Sequence, residues 1–321
     1  MRKNRLFSIA CQVGKNGVEK FFQKKLDKPV RNCHKCVTFA KSETISSITM
    51  AIITLTSDWG TSDYYAAAVK GTILSYLPDA TIVDITHEIE PFNIPQVGFT
   101  LRNCFRCFPE GTIHIIAVNT IESLENPHVV VKAEGQYFIG TDNGIFTHIL
   151  TNGKFEEAVY IDVLQDADTF NFATRDRFVK VAAMIAKGEP LSNIGERREQ
   201  LCAGGVICAV PHDNAIDGVV IHIDSYENVI TNITREIFER ERRGRDFTIL
   251  VKGNLYTVNK ISDSYLDVRE VDMVAIFGSH GYLELALREA KLASLIGLEL
   301  SAHIKVVFHE ANEEQPQDSL F

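Results

Sequence analysis

Asp58 is the residue whose type and placement first suggest chemistry. It follows Met50-Ala51-Ile52-Ile53-Thr54-Leu55, an apolar, β-branched run with the pattern of a fully buried strand. Ser57, Asp58 and Gly60 interrupt that run, and from Asp63 towards Leu77 the apolar spacing becomes helical. A strand, a tight turn and a helix put Asp58 at the carboxyl end of a strand, where ligands bind in open parallel sheets. A carboxylate there suits a ribose diol or a cation, and it suits equally a cap on the following helix. Two cysteine pairs, Cys33-His34-Lys35-Cys36 and Cys104-Phe105-Arg106-Cys107, are each half of a zinc motif. They lie about 70 residues apart, further than structural zinc loops usually close, so no metal is expected.

The elements that must hold Asp58 follow in order. Ala80 to Ile85 reads as a second buried strand ending at Thr86-His87, and the loop from Glu88 to Ile94 carries Phe92. A helix over about Gln96 to Phe108 leads to a third strand, Ile113 to Val118, which empties into a polar loop from Asn119 to Pro127. Strand–helix–strand repeats with short connections imply right-handed crossovers and a parallel sheet. His128 to Val131 and Gln136 to Ile139 read as a strand pair, with a helix beginning near Gly144 and another over Phe178 to Lys187. From Gly218 the texture changes to short strands, which suits a small antiparallel barrel or sandwich interrupted by one helix, about Leu283 to Leu295.

The fold class is therefore α/β, with a mostly parallel N-terminal sheet and a small C-terminal antiparallel barrel or sandwich. The divisions expected are a basic extension at 1–49, an α/β domain at 50–205, a barrel domain at 206–308 and a disordered tail at 309–321. The extension holds 11 Lys and Arg against 3 Asp and Glu, whereas the rest of the chain holds 22 against 39. A body this acidic argues against a broad nucleic-acid surface. The extension reads as a disordered arm, or as sequence upstream of a body that begins near Met50. No apolar run of about 18 residues is present, so no membrane span is expected. Seven cysteines with no dense framework suit a reducing cytoplasm.

With these pieces placed, the sequence resembles the S-adenosylmethionine hydroxide adenosyltransferases (adenosine-forming S-adenosylmethionine hydrolases) and the related fluorinases and chlorinases. The resemblance runs from about Ala51 to Phe308. Its markers are Ser57-Asp58-Trp59-Gly60 with Asp63, Tyr65, Lys70 and Gly71; Val83-Asp84-Ile85-Thr86-His87; and Phe108-Pro109-Glu110-Gly111-Thr112. Further on come Asp142-Asn143-Gly144, Ile223-Asp224 with Asn228-Val229-Ile230-Thr231-Asn232, and Gly278-Ser279-His280-Gly281-Tyr282-Leu283.

The resemblance implies that the small C-terminal antiparallel domain is a β-barrel. It also implies a homotrimer with S-adenosylmethionine, as substrate or ligand and with no other cofactor, at the subunit interface. By position it implies Asp58 on the ribose hydroxyls and Phe92 against the sugar. Asp224 would hold the methionine ammonium and Ser279 with His280 the carboxylate, while Tyr226 and Asn228 would take the adenine. Read without the family, Asp224 is a strand-end cap, Asn228 a turn residue and Ser279-His280-Gly281 a loop.

The implied reaction is displacement at C5′ by water. Family hydrolases activate that water with an Asp, an Arg and a His, and those positions fall here on Asn119, Asn126 and Ala173. Halogenases carry Tyr at the position of Asn119, and fluorinating members carry Ser where this chain has Thr174. Thr174 could offer a hydroxyl to an anion or cap the helix expected from Arg175. Glu122 and Glu125 are candidate replacement bases, or solvated residues of an exposed loop. Three functions follow: hydrolysis through a rearranged water site, with Asn119 and Thr174 as the catalytic candidates; an altered nucleophile or adenosyl ligand; or a non-catalytic binding protein.

Overall fold

The computed structural model describes residues 50–150, 153–165 and 171–309. The expected extension at 1–49, with its Cys33–Cys36 pair, and all but His309 of the expected tail lie outside these residues. The described residues belong to one compact unit and form two sheets.

The first sheet begins with β1 (Ile52–Ser57), then α1 (Tyr65–Tyr76), β2 (Thr81–Thr86), α2 (Ile94–Cys104) and β3 (Ile113–Ala117). It continues with β4 (His128–Ala133), β5 (Gln136–Thr141), α3 (Ile145–Ile149), β6 (Glu157–Tyr160) and α4 (Val179–Ala186). The strand order is β2-β1-β3-β5-β4-β6; β1, β2, β3 and β5 run parallel, and β4 and β6 run antiparallel to their neighbours.

Helices cover both faces, so strands such as Ile113–Ala117 are apolar on both sides. The alternation is explicit in β4. Val130 packs with Val69, Ile73 and Val181, whereas Val129 and Val131 pack with Val97, Phe105 and Phe146. The β4–β5 hairpin closes through Glu134 and Gly135, both at positive φ (50° and 72°), as a two-residue turn matched to strand twist requires.

The second sheet holds β7 (Val210–His212), β8 (Ala215–Ile223), β9 (Val229–Thr234), β10 (Phe247–Val251) and β11 (Tyr256–Val258). It is completed by β12 (Met273–Phe277), β13 (Tyr282–Leu287) and β14 (His303–Phe308). All named pairs are antiparallel in the order β11-β10-β14-β8-β9-β13-β12. β8 pairs with β14 over its first half and with β9 over its second, which curls the sheet into a nearly closed barrel. Phe238 fills it, with Phe247 and Phe277 rings at 5.0 and 5.3 Å.

Two expectations need correction here. The helix expected over about Leu283 to Leu295 is instead strand β13 followed by the short helix α6 (Leu292–Ile296). Tyr-Leu-Glu-Leu-Ala-Leu contains good helix formers, but β13 lies between β9 and β12 and is buried on both faces, and that packing overrides propensity. The barrel also carries a helix the sequence reading missed, α5 (Arg235–Arg242), capped by Thr234 accepting from the Ile237 N–H at 3.2 Å. Its charge-rich face hides the period, since only Ile237 and Phe238 face the barrel.

His114 on β3 is fully buried between the two strands beside it. Its Nδ1 accepts from the Thr54 hydroxyl at 2.7 Å, and its Nε2–H donates to Gln136 Oε1 at 2.6 Å. Gln136 spends its own N–H groups on the carbonyls of Phe105 and Phe108, which fixes this orientation. Burial pushes the imidazole pKa down from 6.5 to about 4. The unfolded chain therefore binds a proton between pH 6.5 and 4 that the folded chain does not. This contribution is complete above pH 6.5 and is lost as pH falls towards 4, to a limit of about 3 kcal/mol. Urea unfolding of the wild type and of His114→Asn at a series of pH values is expected to show a shallower pH slope in the variant. Equal slopes would contradict the assignment.

Candidate ligand-binding site

The strand order sets the location. From β1 the chain moves to β2 on one side, then crosses over β1 to β3 on the other, so the connections leave β1 and β3 in opposite directions. That reversal opens a crevice at the carboxyl ends of β1 and β3, the position where doubly wound sheets take ligands. Asp58 leaves β1 at that point and Asn119 follows β3.

Asp58 does not cap α1, which starts from Tyr64 with no side-chain cap. Its Oδ2 instead accepts from the Phe92 N–H at 3.0 Å, and its Oδ1 has no partner among the described residues. Phe92 sits at φ 66° with its side chain 66% exposed, a strained backbone presenting an unpacked ring beside a half-free carboxylate. The turn behind them is braced. Ser57 Oγ meets His87 Nδ1 at 2.6 Å, His87 Nε2 lies 3.2 Å from Asp84, and Lys70 reaches Asp84 at 2.5 Å. Trp59 stacks on His87 and meets the edge of Phe172 at 5.6 Å, which brings the 172–178 segment against the Asp58 turn.

Thr174 lies in that segment. It opens a π-helical turn, Thr174–Phe178, that runs straight into α4; its side chain makes no cap, so the capping reading fails. Its hydroxyl is buried and without a partner among the described residues. Ala173 is buried beside it.

Asn119 is half-buried at φ 50°, and its carbonyl accepts from Asn143 Nδ2 at 3.4 Å. Asn143 is held in turn by the Asp142 loop. The fully buried Asp142 carboxylate accepts from Arg198 Nε at 2.7 Å, pairs with Arg198 Nη2 at 2.6 Å and accepts from the Cys202 N–H. Asn126 closes a turn with Ser123 through its backbone.

Glu122 is exposed, as a residue of an open loop would be, and Arg177, from the π turn, donates Nη1 to its Oε2 at 2.6 Å. The same Nη1 donates to His128 Nδ1 at 3.2 Å, and Arg177 Nη2 holds the Ile161 carbonyl. His128 Nε2 donates to the Thr120 carbonyl at 3.0 Å, so the ring is a neutral tie, and burial holds its pKa below the ordinary imidazole range. A carboxylate, a guanidinium and an imidazole thus share one corner beside Asn119 and Thr174. Glu122 keeps an unused carboxylate oxygen there, its Oε1, and the Thr174 hydroxyl and Arg177 Nε are likewise without a partner among the described residues.

A second constellation lies on the barrel. Asp224, at the β8–β9 turn, accepts from the Tyr226 and Asn228 N–H groups at 2.9 Å each and from Asn228 Nδ2 at 3.0 Å. Its carboxylate thus organises the turn that carries both residues, and Tyr226 is 76% exposed. Ser279 is exposed, whereas the His280 ring is tied on both nitrogens, to the Tyr282 N–H at 3.0 Å and to Glu284 at 3.1 Å. Phe99 of α2 stacks on His222 at 4.4 Å, and Arg102 reaches the Tyr282 hydroxyl at 3.1 Å. Sequence reasoning did not single out Arg177, His128, Arg198 or Glu284; the one visible signal was an acidic residue inside the apolar run Leu-Glu-Leu-Ala-Leu.

Among the described residues no hydrogen bond, ion pair or ring contact joins the Asp58 group to the Asp224 group. Nor does any cluster of three His, Cys, Asp or Glu there suit a metal ion. Cys104 and Cys107 are free thiols, and burial pushes Cys104 up to about 11, away from thiolate chemistry. No helix among them is long and apolar enough to cross a membrane.

Comparison with known proteins agrees with this layout. The sequence model of the SAM hydroxide adenosyltransferase N-terminal domain matches residues 53–195, and that of the C-terminal domain matches 218–305. An (R)-S-adenosyl-L-methionine hydrolase of Methanocaldococcus jannaschii is 28% identical over 80% of this chain and 96% of its own. A fluorinase of Actinopolyspora mzabensis is 27% identical over 81% and 98%. A solved structure described as an uncharacterized conserved protein from Thermotoga maritima superposes with TM-score 0.72 at 26% identity, over 80% of this chain and 99% of that one. With both domain models matched in order across the two sheets, the chain belongs to the SAM hydroxide adenosyltransferase family.

Proposed function

We propose that the protein binds S-adenosylmethionine and hydrolyses it to adenosine and L-methionine. The observation that carries this reading is Asp58: a carboxylate at the β1–β3 reversal with one oxygen anchored and the other open, beside an exposed aromatic ring. Fixed carboxylate oxygens suit the paired hydroxyls of a ribose. Asp224 supplies negative charge for the ammonium of the methionine arm. The turn at Ser279 and His280 receives its carboxylate through backbone N–H groups and the Ser279 hydroxyl, because the His280 ring is already engaged. Tyr226 and Asn228 take the adenine.

The active form is a homotrimer in which the Asp58 group of one copy meets the Asp224 group of the next. Exposed apolar side chains on the loops that would meet support this: Ile121, Leu124 and Phe92 on one, Tyr226 and Leu266 on the other.

In the reaction a water oxygen attacks C5′ while the C5′–S bond breaks. The bonding pair leaves on sulfur as the neutral thioether of methionine, so no general acid is needed. Water gives up one proton, and Glu122 Oε1 is the acceptor this chain offers. Arg177 holds the other oxygen, and His128 fixes Arg177 and the loop. Asn119 orients the water without taking its proton, and the Thr174 hydroxyl, buried and unpartnered among the described residues, is a further hydrogen-bonding group for it. Alignment and water exclusion account for the rest of the barrier.

A non-catalytic binder is the second reading, favoured by Asn119 and Ala173 standing where family hydrolases carry acid and imidazole groups. Incubation of the purified protein with S-adenosylmethionine, followed by chromatography, is expected to yield adenosine and methionine in equal amounts. Binding by calorimetry with no product would select the binder instead. Glu122→Gln is expected to lower kcat by about 10²–10⁴ with the dissociation constant little changed. Unchanged turnover would reduce Glu122 to a loop tie.

A further inference from the structure

Strand β13 is apolar except for Glu284, whose carboxylate is 5% exposed. A charge carried into such a strand is unfavourable unless its oxygens are satisfied. Both are. The Tyr265 hydroxyl donates to Oε1 at 2.5 Å, and His280 Nε2 lies 3.1 Å from Oε2. The Tyr282 N–H can only donate, so His280 Nδ1 accepts from it at 3.0 Å and the ring proton sits on Nε2, aimed at Glu284. The imidazole is left with no free nitrogen.

What this arrangement fixes is the turn from Gly278 to Gly281. Gly281 closes it by donating to the Gly278 carbonyl at 2.9 Å, with φ at 80°. A Cβ on Gly278 would stand 2.5 Å from His280 Nε2 and 2.9 Å from Glu284 Oε2, so only glycine leaves room for the imidazole–carboxylate pair. At the apex, the N–H groups of Ser279 and His280 donate to no acceptor among the described residues, and Ser279 is exposed. Two adjacent free N–H groups beside a hydroxyl form a small anion cradle. Tyr265 also lies within the field of Asp224, and His222 feels both Asp224 and His280, so the cradle and the Asp224 carboxylate belong to one neighbourhood.

We infer that Glu284 and Tyr265 are positioning residues. Through His280 they hold the 278–281 turn in the one shape that receives the α-carboxylate of the ligand's amino-acid arm, and so set affinity for that arm alone. This rests on the proposed adenosyl ligand. It assigns to a Tyr–Glu–His relay centred on the buried Glu284 the selectivity for an intact amino-acid end over a bare nucleoside.

The test compares S-adenosylmethionine with adenosine, which lacks the arm, by calorimetry on the wild type, Glu284→Gln and Tyr265→Phe. Gln keeps the shape but replaces one acceptor oxygen with a donor, so it cannot accept from both Tyr265 and His280; Phe removes only a hydroxyl. The expected result is S-adenosylmethionine affinity weakened about tenfold or more in both variants, one buried hydrogen bond's worth, with adenosine affinity within about twofold of wild type. In turnover, KM rises while kcat holds. Retained adenosine binding also certifies the fold, and Tyr265→Phe carries the test if Glu284→Gln does not fold. Equal weakening for both ligands, or for neither, overturns the inference. Failure of the wild type to bind either ligand overturns the proposed function itself, a distinguishable outcome.

Discussion

Everything in the N-terminal half depends on where β1 sits. It is central and parallel, with β2 on one side and β3 on the other, so the chain must leave its end in one direction and return from the opposite one. No helix can cover the gap between those two departures. Into that gap the sequence sends Asp58, then anchors it with a single backbone donor from Phe92. The surroundings are rigid for ordinary reasons: Ser57, His87, Asp84 and Lys70 brace the turn, and Asp142 with Arg198 brace the loop that supports Asn119. The site is held from behind by these polar pairs, and it presents the groups they leave over.

The same economy governs the barrel. Asp224 and Glu284 are both carboxylates that shape turns, one accepting directly from the Tyr226–Asn228 backbone and the other acting through His280. Each turn ends up displaying polar groups that the protein itself does not use. This reconciles the two readings of Asp224 and Asn228. A turn organiser can also be a ligand group, because a carboxylate has more lone pairs than three donors consume.

Local chemistry made part of this legible in the sequence. The run Ile52 to Leu55 followed by Ser57-Asp58 identified a buried strand and its exit, and the change of texture after Gly218 identified an antiparallel barrel or sandwich. Where several structures suit the same residues, reading failed. Tyr282 to Leu287 has helix-forming composition and became a strand, because two neighbouring strands needed it. Arg235 to Arg242 became a helix with a core face of two residues. Glu122 is the exposed loop residue its setting suggests, but its pairing with Arg177, 55 positions away, is announced by nothing local. The Glu122–Arg177–His128 corner is composed of residues that are individually bland. It bears on the proposed reaction because Asn119, Asn126 and Ala173 offer no carboxylate, guanidinium or imidazole at the positions where the resemblance implied them.

The central claim is that one ligand spans the Asp58 group of one copy and the Asp224 group of another. Mixed oligomers test it most directly. Asp58→Ala and Asp224→Ala chains, each unable to bind S-adenosylmethionine alone, would be co-folded in equal amounts and titrated by calorimetry. If sites form between copies, about a quarter of them regain both carboxylates, and binding returns to that fraction with wild-type affinity. No recovered binding in a verified mixed oligomer would contradict the account and require both groups to serve the ligand from within a single chain.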